Sequence, residues 1–311
     1  MRVVVAQQPG GPEVLQVVER ELRAPGPHEV QVRLEAIGIN PIDRAIREGR
    51  YPASFPWVPG VDGAGEVTAI GSAVERVKVG DRVYVSGGGT YAEAVTTAEE
   101  NVWPLPPSFS FEQGAAIGVP YVTALRALWR AQVAPGDWVL VHGASGGVGT
   151  AAIQLGTAMG LRVAGTASSD AGRSYVLGQG AVAAFGHEAY DAMRTLAQDG
   201  FAAILEMRGT ENLARDLEVV RRFGTVVVIG ASGPTSVPLG ALMAQSAAVV
   251  GISGATVDRA ERMRLHTALG GLLRVGAITP VVAATYRLEE AGAAQEALAR
   301  GGVLGKLVLI P

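Results

Sequence analysis

A strand-like run, Trp138-Val139-Leu140-Val141-His142, leads into Gly143-Ala144-Ser145-Gly146-Gly147-Val148-Gly149 and then into residues with helical spacing. This order suits a pyrophosphate. A small residue at Ala144 permits a tight turn, the missing Cβ at Gly146 lets the anion approach the backbone, and Gly149 allows close helix packing. Amide groups and the partial positive charge of the helix N-terminus would then hold the phosphates. Val148, Ala152, Leu155 and Met159 recur at spacings of four, three and four, and Gly160 stands at the expected C′ position. With a second apolar run at Arg162–Thr166 the segment reads as a βαβ unit. That context matters, because a glycine pattern alone means little in a chain with 42 glycines.

Dinucleotide folds that prefer NAD usually place an acid at the end of the second strand, ~20 residues on, to hold the ribose hydroxyls. Here the segment reads Gly165-Thr166-Ala167-Ser168-Ser169-Asp170-Ala171-Gly172-Arg173, with no acid at the strand end itself. The hydroxyls and the guanidinium suit a 2′-phosphate, so NADPH is favoured and NADH is the weaker expectation. Thr166, Ser168, Ser169 and Arg173 are the candidate contacts. On the alternative reading, Ser168, Ser169 or Asp170 caps the next helix and Arg173 is solvated. A methyltransferase, also dependent on a glycine loop, would usually keep an acid at this strand end.

The wider chain bounds the rest. At 311 residues there is room for two domains with separate cores. Short β-rich runs separated by turn residues fill the first part: Arg2–Ala6, Val14–Val18, Val30–Leu34, Gly65–Ile70, Arg82–Val85 and Tyr91–Val95. They predict a mostly antiparallel, barrel-like domain. From about Thr123, apolar runs alternate with helical stretches. Trp138–His142, Arg162–Thr166, Phe201–Leu205, Thr225–Gly230 and Ala247–Ile252 are spaced as in a doubly wound parallel sheet. A helix over Arg259–Val275 precedes a last strand, Lys306–Ile310, and this tail is expected to carry no further βα unit and to rejoin the first domain.

Net charge is −3 and no Lys/Arg run exceeds two, so no nucleic-acid footprint is present. No stretch approaches the ~20 apolar residues of a membrane span and no signal peptide is evident, so the protein is expected in the cytoplasm. There is no cysteine, and His28, His142, His187 and His266 form no short-spaced ligand pattern, so no metal site is expected. His142 reads as a structural histidine.

Six stretches resemble the zinc-free quinone oxidoreductase (zeta-crystallin-like) branch of the medium-chain dehydrogenase/reductase superfamily. They are Gly11–Leu15, Gly38-Ile39-Asn40-Pro41, Pro59–Gly65, Gly80–Val83, Gly114–Tyr121 and Val141–Gly149, and matches continue to Gly305-Lys306. Zinc-dependent relatives carry Gly-His-Glu where this chain has Gly60-Val61-Asp62. The resemblance implies a GroES-like β-barrel catalytic domain (residues 1–121 and 259–311) around a Rossmann cofactor domain (residues 122–258), commonly as a homodimer joined through the cofactor domains. It carries cofactor contacts onto Asn40, Thr123, Ser145 to Gly149 (Ser145, Gly146, Gly147, Val148, Gly149), Ile229 and Gly230, beside the Ala144 that the loop itself already marks, and sets Arg259 near the substrate.

The implied chemistry is hydride transfer from NADPH to a quinone. A quinone delocalises the added charge, so positioning and a few hydrogen-bond donors suffice where a plain carbonyl would need a Lewis acid. Asn40 and Tyr51 are the candidates for orientation and proton donation, with Tyr121 a further wall. Asn40 before Pro41 could instead be a turn residue, and Tyr51 a half-buried loop aromatic. An enone or alkene reductase using the same residues, or a non-catalytic NADPH-binding protein, are the competing expectations.

Overall fold

A computed structural model describes all residues, Met1–Pro311, and its chain contacts divide into two units. The first comprises Met1–Val119, His266–Arg274 and Pro280–Pro311; the second comprises Pro120–Leu265 and Val275–Thr279. No helix is long and apolar enough to cross a membrane.

In the first unit β1 (Arg2–Ala6) pairs antiparallel with β2 (Leu15–Glu19). A seven-stranded sheet follows, built on β3 (Glu29–Gly38), with α1 (Pro41–Arg47) leading from it to β4 (Asp62–Ile70), β5 (Arg82–Ser86), β6 (Ala94–Ala98) and β7 (Val102–Pro104), and then the short α2 (Phe111–Gly114). Val30, Val32 and Leu34 alternate along β3 and are buried, so one face of that strand meets Val67, Val83, Val85, Leu307 and Leu309 in the core. The period of two is what the β-rich pattern predicts. One expected strand differs: β6 begins at Ala94, because Tyr91 and Ala92 bond instead to β1, where the Tyr91 carbonyl accepts the Val4 amide at 2.8 Å.

The second unit opens with α3 (Gly118–Ala131) and alternates thereafter: β8 (Trp138–Val141), α4 (Gly147–Ala158), β9 (Arg162–Thr166), α5 (Asp170–Gly178), β10 (Ala183–Phe185), α6 (Tyr190–Leu196), β11 (Phe201–Glu206), α7 (Gly209–Asp216), β12 (Val220–Val228), α8 (Leu239–Gln245) and β13 (Ala248–Gly251). All strand pairs in this sheet are parallel, in the order β10-β9-β8-β11-β12-β13. This is the Rossmann order, with its topological switch point between β8 and β11. Every residue of β11 is buried, as expected of a central parallel strand covered on both faces.

Helix α9 (Arg259–Arg274) is shared between the units, changing over at Leu265/His266. The tail then departs from the sequence expectation of no further βα unit. β14 (Val282–Arg287), α10 (Ala291–Arg300) and β15 (Lys306–Ile310) form one, with β14 parallel to β15, and β15 joins β3. The sequence of β14, Val-Ala-Ala-Thr-Tyr-Arg, is mostly exposed and its apolar residues are small and not alternating, so the pattern of a half-buried strand is missing.

Candidate functional site

The second unit places the glycine run at the C-terminal end of β8, beside the switch point. Gly143 turns the chain with a left-handed φ of +60°. Ala144 is then tied to the neighbouring strand, its amide donating to the Thr166 carbonyl at 2.8 Å. Two later glycines serve different ends. A Cβ on Gly149 would fall 2.5 Å from the Ala144 Cα, so this glycine lets α4 pack against the loop. A Cβ on Gly146 would meet nothing in the protein closer than the Gly143 oxygen at 3.7 Å. The space it would fill is open, and it lies at the start of α4.

The first backbone bond of α4 runs from Thr150 to Gly146 at 2.8 Å. The amides of Gly147, Val148 and Gly149 precede it and have no acceptor within the helix, which makes this twelve-residue helix an anion cradle. No acid stands at the end of β9. Ser169 proves to be the N-cap of α5, its hydroxyl accepting the Gly172 amide at 3.0 Å, while Ser168 is exposed. Arg173 is only partly available, since its guanidinium donates to the Asp170 carboxylate and to the Ala167 carbonyl. For Ser169 the capping alternative is therefore the one realised. Ile229 and Gly230 lie across the switch point, both amides donating to the Glu206 carbonyl. Thr123 is half-buried on α3.

Beneath the loop is a buried cluster that motif reading did not find. His142 Nε2 lies 3.0 Å from Asp216 Oδ1 and 3.7 Å from Glu206 Oε2, with all three side chains buried. Tyr190 donates its hydroxyl to Asp216 at 3.2 Å, and the Asn212 amide and the Arg208 backbone N–H donate to Glu206. Burial, reinforced by the Asp216 charge against the opposing pull of His142, pushes the Glu206 carboxyl up to about 7. Burial alone would lower the His142 pKa; the hydrogen bond and charge of Asp216, with Glu206, overcome it and raise it. Nothing in the spacing of residues 142, 206 and 216 marks them, because three different elements bring them together.

In the first unit Asn40 is buried and both ends of its amide are engaged. Its Oδ1 accepts from the Lys306 ammonium, and its Nδ2 donates to Asp62 Oδ2 at 2.8 Å and to the Gly38 carbonyl at 3.4 Å. Asp62 also accepts the Val119 amide at 2.9 Å and faces Lys306 at 3.3 Å. Beside them Asp43 accepts the Asn40 backbone N–H and the Tyr91 hydroxyl, and burial pushes its carboxyl up to about 7. Burial likewise lowers the Lys306 pKa against the opposing carboxylates of Asp62 and Asp43. Tyr51, on the loop after α1, is 52% exposed. Arg259 opens α9 in the second unit, so Tyr51 and Arg259 belong to different units. Tyr121, on α3, turns its hydroxyl to Gln154 at 2.7 Å.

Residues 26–107 match the family model for the alcohol dehydrogenase GroES-like domain, and residues 147–269 match that for zinc-binding dehydrogenase. The chain is 38% identical to the quinone oxidoreductase of Mus musculus, over 100% of this chain and 98% of that protein. Among solved structures it is similar to the quinone oxidoreductase of Pseudomonas syringae pv. Tomato DC3000, with a TM-score of 0.91 and 34% identity, covering 100% of this chain and 99% of that one. It is equally similar to the Escherichia coli quinone oxidoreductase solved with NADPH, with a TM-score of 0.91, 32% identity and full coverage of both chains.

The second family model implies zinc, and the residues here do not fit it. A catalytic zinc takes three protein ligands and keeps a fourth position open. Asp62 is already neutralised by an ammonium and belongs to no group of three ligand-type side chains. The single such group, His142 with Glu206 and Asp216, is fully enclosed and bonded within itself.

Proposed function

The chain belongs to the quinone oxidoreductase branch of the medium-chain dehydrogenase/reductase superfamily, and from that premise we propose that it is an oxidoreductase reducing quinones with NADPH, without zinc. The observation that carries this reading is the cradle at the start of α4: amides without helical acceptors beside a glycine whose missing Cβ leaves room for a ligand. Ala144 to Gly149 hold the pyrophosphate in this proposal. Ser168 and Arg173 face the adenosine side, and the bare end of β9 favours the 2′-phosphate; Thr166, buried with its hydroxyl taken up by Gly143, His142 and His187, and Ser169, which caps α5, support that end of the site rather than contact the ligand. When bound, the cofactor supplies a hydride from its nicotinamide ring.

The protein's own residues then have to orient and screen. Ile229, Gly230 and Thr123 are proposed to flank the nicotinamide. Asn40, held rigid by Lys306 and Asp62, shapes the wall of the first unit, and its free capacity for new hydrogen bonds is small. Tyr51, exposed on its loop, is the better proton donor, and Arg259 is proposed to attract the electron-rich oxygens of the acceptor. The quinone ring spreads the incoming charge itself, which is why this donor set suffices.

We further propose a homodimer in the cytoplasm. β13 is an edge strand, and α8 beside it carries Leu239 at 65% and Met243 at 77% exposure. An unpaired edge with exposed apolar side chains favours a second copy.

The test follows NADPH oxidation at 340 nm across quinones, enones and plain aldehydes, with and without a strong chelator. Quinone-dependent oxidation that survives chelation is expected. Turnover of enones alone would replace the substrate class, and tight NADPH binding with no turnover of any acceptor would make the protein a binding partner instead.

A further inference from the structure

The buried cluster under the glycine loop has a direction built into it. Thr166 Oγ1 has three neighbours: the Gly143 amide at 3.2 Å, His142 Nδ1 at 3.2 Å and His187 Nδ1 at 3.0 Å. A hydroxyl donates once and accepts twice. The Gly143 amide must donate, so Thr166 accepts from one imidazole and donates to the other.

The choice between them follows from what lies behind His142. Its Nε2 faces the Asp216 carboxylate and therefore carries a proton. Asp216 on α7, Glu206 on β11, the Tyr190 hydroxyl on α6 and His187 after β10 are the titratable groups around it. The two carboxyls favour an imidazolium, whose Nδ1–H then donates to Thr166. His187 is surrounded by His142, Arg208 and Glu188; burial, then the charge of His142, lowers its pKa and so favours the neutral ring. Its bare Nδ1 receives the Thr166 hydroxyl proton.

We propose that Asp216 and His142 are positioning residues for the nucleotide loop, acting through the chain Asp216–His142–Thr166–His187 to hold the Thr166 oxygen as acceptor for the Gly143 amide. The inference rests on that loop being the dinucleotide site. Together with the bond from the Ala144 amide to the Thr166 carbonyl, it hangs the loop's first two residues on one threonine at the end of β9. Loss of the His142 proton offers the Thr166 hydroxyl a second acceptor and removes the direction of the chain.

Asp216→Asn keeps an acceptor for Nε2–H and deletes the charge, so His142 gives up its second proton at lower pH. Dissociation constants for NADPH are measured by nicotinamide fluorescence from pH 5.5 to 9, for wild type and variant. The ratio of the two cancels titration of the cofactor phosphate itself. The variant is expected to bind roughly threefold to tenfold more weakly near neutral pH and to approach wild type at the acid end, as befits an indirect charge-assisted bond. An unchanged ratio across the range overturns the proposal while leaving the functional reading intact; no binding by wild type at any pH overturns the functional reading instead. Imidazole nitrogen shifts of the wild-type protein decide the matter even if the variant does not fold. His142 protonated on both nitrogens and His187 bare at Nδ1 is the expected pattern; a bare Nδ1 on His142 at neutral pH contradicts it. Thr166→Ser should bind as wild type does, and Thr166→Val should not.

Discussion

The glycine loop of the second unit and the Lys306 cluster of the first spend their polar groups in opposite ways. In the loop, three amides at the start of α4 are left without helical acceptors and one glycine leaves a vacant Cβ volume, so the backbone itself is ready for an anion. In the cluster, Asn40, Asp62, Asp43 and Lys306 are all buried and bonded chiefly to one another. One region holds binding capacity in reserve, and the other has used it to fix a wall. Substitutions in the first should change affinity with the fold intact, and substitutions in the second should change the fold's stability with the dinucleotide affinity intact.

The largest expected effect is in the cluster. Lys306→Met leaves Asp62 buried beside no cation, and breaking a buried pair in this way costs about 3–5 kcal/mol. Denaturant unfolding should show that loss, with recovery of part of it in Lys306→Met combined with Asp62→Asn. A stability within 1 kcal/mol of wild type, on the order of a surface ion pair, would mean the ammonium is not where the cluster needs it.

Asp43 sharpens the same point through pH. Its carboxyl is pushed up to about 7 by burial, so the fold favours the protonated form. A group raised in this way contributes fully below its unfolded pKa near 4 and loses that contribution as pH rises to 7; the drop is on the order of 2–4 kcal/mol. Asp43→Asn, which stays neutral, should flatten this part of the stability-versus-pH curve and melt higher than wild type at pH 8. A curve of unchanged slope would assign the titration elsewhere.

Arg173→Ala gives the smallest effect. A charge-assisted bond to a 2′-phosphate would be worth tenfold or more, but the Asp170 carboxylate already competes for this guanidinium, so NADPH binding should weaken roughly threefold to tenfold. NADH affinity should stay put. Equal losses for both cofactors would point to a disturbed α5 rather than to a phosphate contact.

The same contrast explains what could be read from the chain. The loop is contiguous, and residues 138–166 carry strand, turn and helix signals in order, so both its position and the parallel sheet around it were legible. The cluster joins residues 40, 43, 62 and 306, and the one under the loop joins 142, 166, 187, 206 and 216. Neither has a local pattern, since strand pairing and helix crossing bring the side chains together. A single signal was available for one of them: a lysine opening the apolar strand Lys306-Leu307-Val308-Leu309-Ile310 must find a buried partner. β14 is hard to read for the opposite reason: it is mostly exposed, and its small alanines break the alternation of a half-buried strand. Asn40 before Pro41 stands out in the sequence, yet its side-chain amide is committed to Asp62 and Lys306, which turns it from a ligand-facing donor into part of the wall.

The claim that the α4 cradle binds the dinucleotide is tested most directly at Gly146, where the protein itself would tolerate a side chain and a bound pyrophosphate would not. NADPH is titrated into wild type and Gly146→Val, with circular dichroism and melting recorded on both. An unchanged fold with a dissociation constant raised at least about tenfold is the predicted result. Equal affinity in a folded variant would place the nucleotide elsewhere and contradict the account.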